Sequence, residues 1–232
     1  MINILENFLN KFNNRRTLNY LKGFIALYYF IGLIGLNLPA TADLFGKLVA
    51  FSLIISTIII LLFHITWSTR FVTVICFIYL ATFLIEAAGV HSGLIFGQYS
   101  YGPGLGIKVL DTPLLIGLNW FMLTYSVFHL FPVRWPWWKV VPAGAALMVV
   151  YDLFLEGIAM HYQWWSWPGG IVPLQNYIAW FVIALLMLSL LHRFYPRARN
   201  EAGLLLHHVN PVAGWVFLVQ LAFFIILHIL LL

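Results

Sequence analysis

Charged side chains are scarce in this chain. Lys and Arg number 12 and Asp and Glu 7 among 232 residues, so 8% are charged against 63% hydrophobic. Soluble domains carry about 25% charge, and one this apolar could not hide its surface from water. That excludes a soluble enzyme or binding module and indicates an integral membrane protein. Cysteine is nearly missing too. Cys76 alone cannot close an internal disulfide and reads as a small buried hydrophobe. Linkers, low-complexity tracts and internal repeats are absent, which leaves a single domain over 1–232. There is no phosphate-binding glycine loop with a lysine, no pair of Asp-rich diphosphate motifs, no set of clustered histidine boxes, and no Ser–His–Asp or Cys–His arrangement at a common depth. Neither a metal nor a cofactor is expected.

What the chain has is apolar length. Hydrophobic segments are expected to form helices at 20–37, 43–64, 70–91, 112–131, 138–160, 173–194 and 211–231, each near the ~20 residues that cross a bilayer. Pro39, Pro113, Pro132, Pro173 and Pro211 punctuate the boundaries. The expected fold is therefore an all-α bundle of about seven transmembrane helices, multi-pass in the cell membrane. Residues 1–19 carry no clean signal-peptide core. With Ile2, Ile4, Leu5, Phe8, Leu9 and Phe12 as an apolar set, they are expected to lie as an amphipathic segment on the membrane surface.

The net charge of +5 is a topology signal and not a nucleic-acid footprint. Lys11, Arg15, Arg16, Lys22, Arg70, Arg134, Lys139, Arg193, Arg197 and Arg199 fall on one side of the threading. Only Lys47 and Lys108 fall on the other. By the positive-inside rule the N-terminus is expected in the cytoplasm and the C-terminus outside. Of the eight histidines, His64, His129 and His192 map near the inner surface, where capping roles are expected. The adjacent pair His207–His208 lies on the same side.

Polar residues inside the spans are the unusual feature. An ionised carboxylate at a bilayer centre costs roughly 2.5–3.5 kcal/mol on insertion scales. Yet the threading sends Glu86, His91, Asn119, Asp152, Glu156, Gln175 and Asn176, from four separate segments, to the same outer half of the membrane. Asp152 and Glu156 are four residues apart and share a helix face. Small residues at Ala143–Ala146 and Ala87–Gly89 permit close helix contact. Two outer loops, 91–106 and 161–170, are rich in Gly and aromatics. For Trp164, Trp165 and Trp167 an interfacial belt and a lid over the site are both open readings. For Trp135, Trp137 and Trp138, beside Arg134 and Lys139, the belt reading wins.

Carboxyl chemistry in an apolar chamber is what these residues can do. Burial disfavours the charged form, and neighbouring carboxyls tend to share a proton. A neutral acid is a proton donor, an ionised neighbour can orient or deprotonate water, and aromatic faces can stabilise a cation between those events. Such a set suits water addition to an isolated alkene through a tertiary carbocation. Without water it would cyclise a polyene. The competing readings are a proton-coupled transporter or lipid carrier, and a structural cluster in which the acids pair with Asn119, Asn176 or His91 and serve assembly alone.

Four stretches, EAAGVHSGLIFGQYSYG (86–102), TPLLIGLNW (112–120), YDLFLE (151–156) and PLQNYIAW (173–180), resemble in order and spacing the membrane carotenoid hydratases, also called the carotenoid biosynthesis protein family. The resemblance covers about 70–190. It implies hydration of the terminal 1,2 double bond of an acyclic ψ end group, as in lycopene or γ-carotene, giving a tertiary alcohol. Glu86, Asn119, Asp152 and Asn176 fall on motif positions. At 156 the family pattern is Asp followed by Pro, where this chain has Glu156–Gly157. The expected site is then Asp152 as proton donor, with Glu86 and Glu156 as further catalytic carboxyls. His91, Asn119, Asn176, Tyr99, Tyr101, Trp120 and Trp165 are expected to position substrate and water. The implied partners are a carotenoid, water, the lipid bilayer and other enzymes of the carotenoid pathway.

Overall fold

The computed structural model describes residues 15–65, 67–195, 197–199, 205–207 and 209–231. Residues 1–14 of the expected amphipathic segment lie outside them, as does His208, while residues 15–19 belong to the first helix. Seven α-helices form one bundle: α1 (Arg15–Asn37), α2 (Ala42–Leu62), α3 (Thr69–Ser92), α4 (Leu115–Phe128), α5 (Trp137–His161), α6 (Leu174–Phe194) and α7 (Pro211–Leu231). Each falls on an expected segment, with α1 starting five residues earlier and α4 shorter than expected. The ends follow local chemistry. Ser68 Oγ accepts from the Phe71 amide at 3.1 Å and caps α3. Gly93, at φ 64°, closes the same helix in the left-handed conformation. Prolines 136 and 173 stand at the N-caps of α5 and α6, and Pro211 opens α7.

Six of these helices are long and apolar enough to cross a membrane, and the chain is a multi-pass membrane protein. The expected fourth span, 112–131, is instead a 14-residue helix. At 1.5 Å per residue α4 is about 21 Å long, short of the ~30 Å hydrocarbon core. Its flanks are used otherwise: Thr112–Pro113 (β3) pairs with Lys108–Val109 (β2) in a tight hairpin, and His129 and Leu130 form a turn. A short helix is tolerable there because α4 meets little lipid. It packs against α2, α3, α5, α6 and α7, and from Asn119 to Phe128 every side chain is buried. Glycines set the spacing. A Cβ at Gly117 would stand 2.6 Å from the Tyr79 carbonyl of α3, and one at Gly144 2.8 Å from Leu188 of α6. Cys76, expected to be buried, is exposed, because it lines an open surface groove that α3 shares with Leu118 and Phe121 of α4 and Thr57 and Leu61 of α2.

The two aromatic loops join. Ser100–Tyr101 (β1) pairs antiparallel with Trp165–Ser166 (β4), with Tyr101 opposite Trp165. The Gly102 amide donates to the Trp164 carbonyl at 2.8 Å, and the Ser100 and Ser166 hydroxyls meet at 3.1 Å. Trp164 and Trp167 are buried and Trp165 half-buried; Trp165 and Trp167 line the space beneath these strands, where the lid reading put them, and Trp164 does not. Trp135, Trp137 and Trp138 are exposed.

At the opposite end of the bundle Asn210 is the knot. Its Oδ1 accepts from the amides of Val212 and Ala213 at the start of α7, each at 3.1 Å. Its Nδ2 donates to the Ile60 carbonyl of α2 at 2.7 Å and to Tyr125 Oη of α4 at 3.2 Å. His64 and His129 are buried here, His64 just beyond the end of α2 and His129 at the C-cap of α4. His64 stacks on Phe71 at 3.8 Å and its Nδ1 meets Tyr125 Oη at 2.9 Å. His129 Nδ1 accepts from the Asn210 amide at 3.1 Å.

Two outcomes follow. Asn210→Ala removes a helix cap and leaves buried acceptors bare, and is expected to cost about 1–3 kcal/mol, read as a lowered Tm in detergent. A methyl at Gly102 would collide with the Gln163 carbonyl. Gly102→Ala is therefore expected to part β1 from β4 and expose the 99–106 loop to limited proteolysis, with the helices intact by circular dichroism.

Candidate functional site

Beneath the β1–β4 strap, side chains from four helices and both loops enclose one chamber. Glu86 comes from α3, Asn119 and Trp120 from α4, Asp152 and Glu156 from α5, and Asn176 and Trp180 from α6. Tyr99, Tyr101, Trp165 and Trp167 hang from the strap. All three carboxyls are buried, Asp152 completely. No Lys, Arg or His lines the space.

N–H and O–H donors stand where cations would otherwise be needed. Glu86 Oε2 accepts from Tyr99 Oη at 2.5 Å and Tyr101 Oη at 2.9 Å, and its Oε1 from Trp120 Nε1 at 2.8 Å. Glu156 Oε2 accepts from Trp165 Nε1 and Trp167 Nε1, both at 2.7 Å. Asn176 Nδ2 bridges the α5 pair, 2.8 Å from Asp152 Oδ2 and 3.2 Å from Glu156 Oε1. Glu86 and Glu156 thus each receive three donors, whereas Asp152 receives one. Burial, reinforced by Glu86, pushes the Tyr99 and Tyr101 hydroxyls well above the ordinary tyrosine range. Both keep their protons and remain donors at neutral pH.

Among the described residues of this set, one fully buried polar atom is left without a protein partner. Asp152 Oδ1 is buried and bonded to nothing. The Asn119 carboxamide lines the chamber, and no side chain among the described residues hydrogen-bonds it. The space they border is about 30 Å³. A cavity of ~10–15 Å³ suffices for one water with polar partners, so the chamber is of water size. The indoles of Trp120 and Trp180, 4.3 Å apart, together with Phe96 and Ile116, close its walls.

The structure therefore brings together Glu86, Asn119, Asp152, Glu156, Asn176, Tyr99, Tyr101, Trp120 and Trp165. It does not bring His91. That side chain is 53% exposed and stands 3.9 Å from Asp111. His91 is five residues beyond Glu86, about 140° round the helix, so a common depth did not mean a common face. Gln175, also expected near the site, donates to the Leu94 carbonyl and ties α6 to the loop above α3. Trp180 was missed, although its i,i+4 spacing from Asn176 is a usable signal. Phe96 was missed as well, and it sits in a loop with no periodicity to place it. Among the described residues no three His, Cys, Asp or Glu side chains gather as metal ligands.

No curated protein and no solved structure matches the chain. A family profile does, over residues 47–231. That stretch is wider than the expected 70–190 and takes in every residue of the chamber. The chain belongs to the carotenoid biosynthesis protein family, and its role lies in carotenoid biosynthesis within a membrane.

Proposed function

We propose that the chamber hydrates the acyclic end of a carotenoid, adding water across the terminal 1,2 double bond. The observation that carries this reading is the asymmetry among the three carboxyls. Glu86 and Glu156 are each saturated by three donors, which is how ionised carboxylates are held. Asp152, with one donor and a bare Oδ1 facing a water-sized space, is the group able to carry and release a proton.

The chemistry then follows from position. The Asp152 carboxylic acid gives its proton to C2 of the alkene, and the electron pair of the double bond forms the new C–H bond. The cation left at C1 is tertiary. The faces of Trp120 and Trp180 and the negative charge of Glu86 and Glu156 stabilise it. Water held between Asn119 and the carboxyls attacks C1 through its oxygen. The proton it sheds returns to a carboxylate and restores the acid. One water is added, no electrons change hands, and no cofactor enters the scheme. The end group requires the strap to lift and the indoles to move aside, since the closed chamber admits only water.

Expression in a bacterium that makes lycopene or γ-carotene tests the reading. Products heavier by one water are expected; a product of unchanged mass would identify a cyclase. Asp152→Asn is expected to lower turnover about 10²–10⁴-fold, the usual worth of a positioned acid, while the protein remains folded. An active Asp152→Asn enzyme would remove Asp152 from the donor role. The double variant Tyr99→Phe/Tyr101→Phe leaves Glu86 only Trp120. It is expected to lose about tenfold or more for two charge-assisted hydrogen bonds, measured as initial rate of hydrated product.

A further inference from the structure

A second cavity, of about 130 Å³, lies between α1, α2, α5 and α7 on the strap side of the bundle. It shares no lining residue with the carboxyl chamber. Its walls are largely aliphatic and aromatic, and none of its lining residues is charged. Two of them, Ile31 and Leu48, are also exposed on the outside of the bundle, at 50% and 39%. The cavity therefore opens between α1 and α2 toward lipid.

One part of its wall is polar. Gln220 Nε2 of α7 donates to Tyr29 Oη of α1 at 2.6 Å, and Tyr29 Oη meets Ser56 Oγ of α2 at 2.7 Å. Tyr151 Oη of α5 reaches Gln220 Oε1 at 3.5 Å. Ser52 also lines the space. A polar ladder that only tied helices together would be packed solid, since interiors keep few voids larger than a water. This one borders an open cavity. Trp164 lines the same cavity, is 2% exposed, and its Nε1 has no hydrogen-bond partner. A buried donor without an acceptor is costly, and an oxygen on a bound molecule would satisfy it.

The geometry points to a binding site for the oxygen-bearing end of a neutral hydrocarbon chain. A cavity of roughly 150 Å³ accepts a benzene-sized group, so this one seats a head of about six heavy atoms, such as a branched alcohol. The oxygen lies among Gln220, Tyr29 and Trp164, and the chain leaves between α1 and α2. Carboxylates and phosphates are rejected because none of the lining side chains is cationic and able to pair with them. Two molecules share the required chemistry: a hydroxylated isoprenoid and a neutral glycerolipid. The site stands whether or not the carboxyl chamber hydrates an alkene, because the two have no residue in common.

The test uses the full chain in lipid nanodiscs and two photoreactive probes. One is a long branched chain ending in a tertiary alcohol with a nearby diazirine; the other is the same chain without the hydroxyl. The alcohol is expected to label lining residues of α1, α2 and α7 about fivefold more than the alkane, the worth of one or two hydrogen bonds. A side chain at Gly32 would enter the cavity with only Phe223 near it, at 3.7 Å. Gly32→Leu is expected to abolish that labelling. Val49→Phe fills the cavity from α2 should the first variant fail to fold. Gln220→Leu is expected to bring alcohol and alkane labelling level. Equal labelling by both probes in the unmodified protein, or labelling that neither filling variant reduces, overturns the site. Solvent extraction of the purified protein, followed by mass spectrometry, separates the sources. A hydroxylated isoprenoid or a neutral glycerolipid is enriched relative to the filled variant. Identical extracts from both proteins would show that water alone occupies the space. Asp152→Asn, which tests hydration, is expected to leave the labelling unchanged.

Discussion

Asn176 Nδ2 touches two carboxyl groups at once, 2.8 Å from Asp152 and 3.2 Å from Glu156, in a chamber that no Lys, Arg or His side chain lines. The rest of the site depends on that constraint. Three acids in an apolar space repel one another and forgo the solvation of water. The protein answers with neutral donors: two tyrosines and a tryptophan on Glu86, two tryptophans and an asparagine on Glu156. Indole and phenol groups suit the task. Each brings one N–H or O–H to a carboxylate and turns an apolar face to whatever else enters. A lysine or arginine would neutralise the same charge, but in the hydration proposed above it would quench the field that stabilises the carbocation and would put a competing charge beside it.

The strap is bound to the chemistry by the same bonds. Tyr101 and Trp165 are partners in the β1–β4 pairing, and each donates to a different glutamate. The closed strap and the organised carboxyls are therefore one state of the protein. In the proposed reaction, lifting the strap to admit an end group strips Glu86 and Glu156 of donors, and closing it restores them. Trp164, on the same ribbon, lines the second cavity. One short segment of chain thus borders both spaces.

Much of the fold was legible. Helix positions followed from apolar length and from prolines at the boundaries, because a bilayer demands continuous hydrophobic runs whatever their partners. The exception was α4. Its sequence is as apolar as a span, but a helix buried by protein and a helix buried by lipid have the same composition, so length in the sequence did not separate them. Cys76 failed for the mirror reason, since lipid-facing and core-facing positions are both hydrophobic. In the site, Glu86, Asp152, Glu156, Asn119 and Asn176 were readable because polar groups are expensive in a membrane and do not occur there idly. His91 was misread because depth was used where angle decides.

The sequence by itself determined the class of protein, the number and order of its helices, and which side chains were too polar to face lipid. These follow from the transfer cost of each residue, which is local. The tertiary structure decided which polar groups share a wall, that the two aromatic loops pair into a strap, and that Asp152 alone among the acids keeps an unclaimed oxygen. It also decided that the chamber closes to the size of a water while a larger one opens on the far side of α5. Those depend on the rotation of each helix and the packing between them. Such relations join residues tens of positions apart, and no local pattern in the chain records them.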